Sequence, residues 1–179
     1  MINVALHLRT GRGFDSIAKP GEDFKKAMRG EKNSCNIVFP LKLPALNFFS
    51  NALHQLCLIL DHKPLRVHIF TDDPNPEEVL ESLKKQMEHK KHSCTLEYTY
   101  NKTSQNDLDI ILDFFTMTNF DCLIRPASNF SLCAAKISDF LIEISPKKLV
   151  ITDKFFFINE FQVQYRDGQV FGITIPVEE

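Results

Sequence analysis

The sequence predicts an α/β protein with a mainly parallel sheet flanked by helices. Short apolar runs recur along the chain, as expected of buried strands. Between them lie longer stretches whose apolar side chains repeat at helical spacing. Glycine, proline and aspartate mark the ends of many runs. The repeated order of strand, loop and helix favours parallel strands joined by right-handed crossovers.

The strands are predicted where apolar or alternating runs are short. Five runs fit this pattern: residues 2–8, 66–70, 95–100, 122–124 and 148–151. The first ends in a glycine-punctuated loop. Residues 161–175 predict a β-hairpin around Arg166, Asp167 and Gly168, because Asp-Gly favours a tight turn.

The helices are predicted where apolar residues recur every three or four positions. Four stretches do so: residues 44–60, 77–90, 107–118 and 130–142. Residues 16–36 are polar and rich in glycine and lysine. They predict a long loop, with a short helix after Pro20 and Gly21.

Length and composition indicate an ordinary globular chain. The 179 residues are 44% hydrophobic and 25% charged, which fits one domain with a real core. Residues 1–145 would form a nucleotide-binding sheet domain, and residues 146–179 would add strands that pack on it. The net charge of −2 provides no global basic field, which argues against sequence-independent nucleic-acid binding.

Cysteine usage and hydropathy bear on location. The five cysteines form no C-x-x-C pair and match no zinc spacing, so we expect reduced thiols. No apolar run approaches the roughly 18 residues of a membrane span. The chain opens directly on a strand pattern without a signal peptide. We therefore expect a cytoplasmic protein.

Residues 7–13 lie at the end of the first predicted strand and suit a diphosphate. Arg9 and Arg12 offer planar forks of donors that match phosphate oxygens, and Gly11 lets the backbone approach closely. A solvated turn with incidental charges is the alternative. The segment is neither a P-loop nor a G-x-G-x-x-G fingerprint.

Two further segments follow strands, where ligands of such sheets bind. Asp72 and Asp73 could contact a ribose, a metal or a catalytic partner, or could merely cap the next helix. The segment from Arg125 to Ser131 leads into a helix whose N-terminus can bind an anion. Ordinary N-capping by Ser128 or Asn129 is the alternative there.

Asp113 lies within an otherwise apolar helical stretch. An unpaired buried carboxylate is costly, so this side chain must either reach solvent or find partners. A pair of N–H donors on a purine edge would be such a partner.

Together these segments resemble the donor domain of the α1,2-, α1,6- and protein O-fucosyltransferases. His7-Leu8-Arg9 resembles the family's His-x-Arg block, and an apolar strand followed by Thr71-Asp72-Asp73 resembles the second block. Asp113, the strand at residues 122–124 and the segment at residues 128–135 resemble the third. The order of the three blocks is that of the family, over residues 2–142.

The resemblance implies a Rossmann-like, C-terminal half of a GT-B fold and a role for each matched residue. Arg9 would bind the β-phosphate and neutralise the departing diphosphate, His7 would lie beside the nucleoside, and Asp113 would pair with guanine. Asp72 and Asp73 would contact the nucleoside or stabilise the loop. The pyrophosphate would be held, through hydroxyls and helix N–H groups, by Ser128, Asn129, Phe130 and Ser131. The resemblance also implies a transfer that inverts the anomeric configuration of the sugar and needs no metal ion. The cationic Arg9 would replace the metal in stabilising the charge of the leaving group.

The chain also departs from the family pattern. Thr10 stands where some members have a second arginine, for which Arg12 could substitute, and Leu132-Cys133 replaces a frequent tryptophan pair. Neither Asp15 nor Glu22 is a clear catalytic base.

The predicted function is therefore a glycosyltransferase, or its donor half, that uses a GDP-sugar such as GDP-fucose and needs no other cofactor. The acceptor would be a glycan or protein, and a missing N-terminal domain or a partner chain would complete the enzyme. A non-catalytic α/β nucleotide-binding or interaction module is the alternative. A third is a Mg²⁺-dependent phosphate-ester hydrolase that uses Asp72 and Asp73.

Overall fold

The structure is a computed structural model that describes residues 1–9, 39–101, 107–151 and 156–175. The predicted loop over residues 16–36, with its short helix, lies outside these ranges. The strands are β1 (Ile2–Leu8), β2 (Leu65–Thr71), β3 (Leu96–Tyr100), β4 (Cys122–Ile124), β5 (Ile142–Ile151), β6 (Phe156–Tyr165) and β7 (Val170–Thr174). The helices are α1 (Phe39–Lys42), α2 (Leu46–Ile59), α3 (Pro76–Glu88), α4 (Asp107–Met117) and α5 (Asn129–Ile137).

The strands form one sheet in the order β3-β2-β1-β4-β5-β6-β7. The first five strands in this order are parallel, and β6 and β7 add to them in antiparallel fashion. The predicted α/β class with a mainly parallel sheet is confirmed, and the strand order is compatible with a Rossmann-like fold. The chain proceeds outward from β1 to β3 and then returns to the other side of β1 at β4.

The region after α5 differs from the prediction. The predicted helix over residues 130–142 ends at Ile137, and Ser138 is already extended. β5 begins at Ile142, because from there buried and less buried residues alternate as on a strand. The strand predicted at residues 148–151 is only its second half. A register irregularity beside Pro146 accommodates a residue that cannot donate to the sheet ladder.

One face of the sheet is covered by α2 and α3, and we call it the α2/α3 face. Alternate residues of β1 point into it, including Val4, Leu6 and Leu8. They pack with side chains such as Leu53 of α2 and Leu83 of α3, all fully buried or nearly so. This is the larger of the two cores.

The opposite face, which we call the α4/α5 face, has a smaller core. Ala5 of β1, Phe70 of β2 and Leu123 of β4 point into it. Met117 of α4 and Ala134 of α5 complete the cluster of buried side chains. Because α5 follows β4 and covers this face, its N-terminus lies at the carboxyl end of the central strands.

The C-terminal ribbon consists of β6, β7 and the turn between them. Gly168 takes a positive φ of 85°, which glycine adopts without strain. Its N–H donates to the carbonyl of Tyr165 at 2.9 Å and closes the turn. Phe161 of β6 is fully buried in the larger core.

Among the described residues, no helix has both the length and the apolar character needed to cross a membrane. The cysteines of this part of the chain, namely Cys57, Cys94, Cys122 and Cys133, form no disulfide bond with one another.

Candidate functional site at the carboxyl ends of the central strands

The candidate site lies where β1, β2 and β4 end side by side. Leu8 pairs with Thr71 of β2, and Leu6 pairs with Ile124 of β4. The residues that follow these strands therefore emerge at the same edge of the sheet. Between β1 and β4 the strand order reverses, and α2 and α5, the helices that come after these strands in the chain, cover opposite faces. A point of this kind is where ligands of open α/β sheets bind.

Arg9 reaches across this edge and joins its two sides. Its Nη1 donates to the hydroxyl of Ser128 at 3.5 Å, and its Nε lies 3.7 Å from Oδ2 of Asp72. The Arg9 side chain is 15% exposed and that of Asp72 is 20% exposed. Both distances are near the upper limit for such contacts, so they orient the guanidinium loosely.

The N-terminus of α5 forms one wall of the site. Ser128 is the N-cap residue, and its extended backbone places its carbonyl to accept from the N–H of Leu132 at 2.9 Å. Its hydroxyl makes no capping hydrogen bond and instead accepts from Arg9. The hydroxyl of Ser131 is buried and donates to the Ser128 carbonyl at 3.4 Å. Ser128 therefore belongs to the site, whereas Ser131 stabilises the first turn of the helix.

His7 is buried beneath Arg9 on the α4/α5 face. Its side chain is 7% exposed, and Nδ1 has no hydrogen-bond partner. Burial, and then the positive charges of Arg9 and Arg125, lower the pKa of His7 to about 3. The imidazole is therefore neutral near pH 7, with a polar atom whose hydrogen bond is unmade.

Phe130 and Asn129 open the helix α5. The ring of Phe130 lies between those of His7 and Phe114, with centroids 5.4 Å and 5.3 Å away. Asn129 is exposed at the first helical position. Phe130 thus fixes the position of His7 and connects it to α4.

A buried ion pair next to the site includes a residue that the sequence did not indicate. Nε and Nη2 of Arg125 each lie 2.7 Å from Oε1 of Glu143, and both side chains are nearly buried. Nη1 of Arg125 donates to the carbonyl of Pro126 at 3.2 Å. Glu143 was missed because β5 was predicted to begin later. A strand from Ile142 would have placed it on the same face as Arg125.

Asp72 and Asp73 have different surroundings. Oδ1 of Asp73 accepts the N–H of Asn75 at 2.9 Å, and the N–H of Asp73 donates to Thr71 Oγ1 at 3.1 Å. The buried Asp73 therefore shapes the turn into α3, where Asn75 is the N-cap and Pro76 the first helical residue. Asp72 instead faces Arg9. Within the described ranges, no group of three or more potential ligands could hold a metal ion.

Asp113 lies on α4, beside the residue that follows β3. Its Oδ1 accepts from Nδ2 of Asn101 at 2.9 Å. Burial raises the pKa of Asp113 from its ordinary value, the Asn101 hydrogen bond opposes this shift, and the charge of Asp109 adds to it. Thus Asp113 is a partly buried carboxylate with one partner. No contact in the described part of the chain connects it directly to Arg9.

The predicted site residues are thus divided into four groups. The structure brings together His7, Arg9, Asp72, Ser128 and Phe130. Asp73 and Ser131 stabilise the turns that begin α3 and α5, and Asn129 is exposed at the start of α5. Asp113 lies apart on α4, beside the end of β3. Gly11 and Arg12 lie outside the described residues, as do Asp15 and Glu22. Comparisons of the chain with protein-family models, curated proteins and solved structures found no match.

Proposed function

We propose that the chain is the donor-binding, C-terminal GT-B half of an inverting, metal-independent glycosyltransferase. Its donor would be a GDP-sugar, with fucose as the sugar. One observation supports this proposal above all: Arg9 is held between Asp72 and Ser128 at the point where the strand order reverses. The residue types and their order along the chain, given above, support the choice of donor.

The chemistry of this position suits a diphosphate. A guanidinium offers several N–H groups in one plane, and phosphate oxygens match that geometry. The first turn of α5 adds backbone N–H groups and the positive end of a helix dipole. The Ser128 hydroxyl adds a further donor. In sugar transfer, such a group of donors would stabilise the charge that develops on the departing diphosphate.

The neighbouring residues would recognise the nucleoside. The neutral His7 has an unpaired Nδ1 within the site and would take a hydrogen bond from a ribose or donate one to a phosphate. Asp113, on α4 beside the end of β3, would accept hydrogen bonds from a guanine edge in exchange for its contact with Asn101. A glycan or protein acceptor would be bound by an N-terminal domain or by a partner chain.

A non-catalytic nucleotide-binding module is the second candidate. The carboxylates beside Arg9 are engaged, Asp72 with Arg9 itself and Asp73 in the turn to α3. The described residues therefore offer no evident catalytic base. Release of GDP from a GDP-sugar by this chain would argue against this candidate. The engagement of Asp73 also weakens the hydrolase alternative, which needs both carboxylates for Mg²⁺.

Ligand-induced thermal stabilisation tests the proposal. GDP, GDP-fucose, UDP and ADP would be titrated against the wild type, Arg9→Ala and Arg66→Ala. Arg66 is a matched control, because it is an exposed arginine at the amino end of β2, paired with Glu97. A ligand that binds the folded state raises the melting temperature in proportion to RT ln(1 + [L]/Kd).

We expect guanine nucleotides to stabilise the wild type and Arg66→Ala but not Arg9→Ala. The proposal fails if no guanine nucleotide stabilises the wild type at millimolar concentration. Equal stabilisation by UDP and ADP would retain a diphosphate site but contradict a GDP-sugar donor.

A further inference from the structure

Among the described residues, β7 is the last strand of the sheet and has a neighbour on one side only. This free edge differs from the other edge of the sheet, at β3. Val170 and Phe171 of β7 are half exposed, at 53% and 50%. The five residues Val170–Thr174 contain no charge and no proline. At the opposite edge, β3 carries the charged Glu97, which pairs with Arg66. Natural sheets usually protect their edges with charges, prolines or bulges, and β7 has none of these.

The hydrogen bonds of β7 show which backbone groups point outward. Tyr165 donates to the carbonyl of Gln169 at 2.9 Å, and Ile175 donates to that of Asn159 at 2.8 Å. Odd-numbered residues of β7 therefore bond to β6, since bonding alternates along an antiparallel strand. The N–H and C=O groups of Val170, Gly172 and Thr174 consequently point toward the free edge.

We propose that β7 pairs antiparallel with β7 of a second copy of this chain, about a two-fold axis at Gly172. A two-fold interface requires a surface that is complementary to itself. Centred on Gly172, the pairing joins Val170 to the partner's Thr174 and Gly172 to the partner's Gly172. All the outward backbone groups of both strands are then hydrogen-bonded.

The side chains also fit this register. Phe171 is placed opposite the partner's Ile173, and aromatic pairs with β-branched residues stabilise antiparallel strands. Phe171 already packs edge-on against Tyr165, with centroids 5.8 Å apart. Because β7 carries no charge, pairing it with itself opposes no like charges. Beside the axis, Lys147 and Glu160 form an ion pair at 2.6 Å, which is electrically neutral.

Gly172, at the proposed axis, lies directly beside the ion pair between Lys147 and Glu160. A Cβ there would overlap the Glu160 carboxylate and approach Nζ of Lys147 at 3.0 Å. With a side chain at position 172, the flexible ends of Glu160 and Lys147 would have to move away from β7. Since one short strand per copy buries less than the ~1,200 Å² of stable complexes, we expect a weak, concentration-dependent dimer.

Sedimentation velocity of the full chain over a concentration series tests the proposal. Thr174→Pro removes one outward N–H and no bond to β6, so the protomer should stay folded. Thr174→Val keeps that N–H and is the matched control. We expect the wild type and Thr174→Val to dimerise equally, and Thr174→Pro to dimerise at least about tenfold more weakly.

A second variant tests the same interface without introducing a proline, which could itself disturb the protomer. Phe171→Lys places a charge at the edge and should weaken dimerisation by a similar factor. A wild type that stays monomeric up to the highest soluble concentration would overturn the proposal. So would a dimer that neither variant weakens, because its interface would then lie elsewhere.

Cross-linking tests the register. In a Cys133→Ser background, Phe171→Cys and Ile173→Cys would be prepared as separate proteins and oxidised with oxidised glutathione. The proposed pairing places these two positions opposite each other across the axis, with Cβ atoms about 5 Å apart. We expect disulfide-linked dimers chiefly when the two proteins are mixed. Equal cross-linking of each protein alone would contradict the axis at Gly172.

Discussion

The two faces of the sheet are covered in different ways. On the α2/α3 face the buried side chains are almost all apolar; Ser50 donates to the Asn47 carbonyl, and Gln86 Oε1 of α3 is a buried oxygen without a partner. On the α4/α5 face, His7 lies buried with an unmade hydrogen bond, and the Arg125–Glu143 pair is nearly buried. The same face leaves apolar side chains of α4 exposed, namely Ile110, Ile111, Leu112 and Phe115.

The larger core, which stabilises the fold, and the groups proposed to bind a ligand therefore lie on opposite faces of the sheet. A buried polar atom without a partner costs roughly 1–3 kcal/mol, so a chain keeps one only where other interactions compensate. The larger core on the α2/α3 face provides that compensation. The α4/α5 face can then hold a neutral histidine and two arginines close together, an arrangement that suits an anionic ligand better than it suits packing.

Replacing one phenylalanine on each face of the sheet by alanine should have the largest effects on the free energy of unfolding. Phe49 is fully buried on the α2/α3 side, whereas Phe130 is only partly buried. We expect Phe49→Ala to lower the free energy of unfolding by about 3–5 kcal/mol. Phe130→Ala should cost roughly half as much, since less apolar surface loses its contacts. Urea denaturation measures both, and a larger loss for Phe130→Ala would contradict the assignment of the main core.

The pH dependence of stability should reveal His7. Its pKa of about 3 in the folded state lies below the ordinary value of about 6.5 in the unfolded chain. The unfolded state therefore binds the proton first as the pH falls. The His7 contribution to stability is complete above pH ~6.5 and declines by about 1.4 kcal/mol per unit down to pH ~3.

His7→Phe should remove this part of the decline. The measured quantity is the difference in unfolding free energy between the variant and the wild type at each pH, so that carboxylates titrating in the same range cancel. His89→Gln, at an exposed histidine that ends α3, serves as the control. A difference between His7→Phe and the wild type that stays constant with pH would show that His7 is not buried as described.

Asp113→Asn should have the smallest effect on stability. The new amide oxygen can still accept from Asn101 Nδ2, so we expect a change within about 0.5 kcal/mol. If Asp113 reads guanine, the same substitution should reduce the preference for GDP over ADP by about tenfold, because a charge-assisted hydrogen bond is lost. Competition binding measures that ratio. An unchanged ratio would remove Asp113 from the site.

Much of the fold could be predicted because its strands are short apolar runs with clear ends. β4 was predicted to the residue, since Cys122–Ile124 is bounded by Asp121 and Arg125. The start of β5 was not, because Pro146 and the lysines after it interrupt the apolar run. The strand can include Pro146 and these lysines because its pairing with β6 is irregular there. The local sequence does not reveal that irregular pairing.

The site could be predicted in part for the same reason. Arg9, Asp72 and Ser128 each follow a predicted strand, and parallel strands bring their carboxyl ends to one edge. The Arg125–Glu143 pair depends on the register of β4 with β5, and the contact between Asp113 and Asn101 depends on how α4 lies against β3. Such contacts follow from packing and not from local spacing.

The proposed function depends most directly on an interaction between Arg9 and the β-phosphate of a nucleotide. Calorimetric titration of GDP and GMP into the wild type, Arg9→Ala and Arg66→Ala isolates that interaction. We predict that Arg9→Ala weakens GDP binding by roughly tenfold to a hundredfold, leaves GMP binding nearly unchanged, and that Arg66→Ala changes neither. An equal loss for both nucleotides, or no loss for GDP, would contradict the placement of the diphosphate at Arg9.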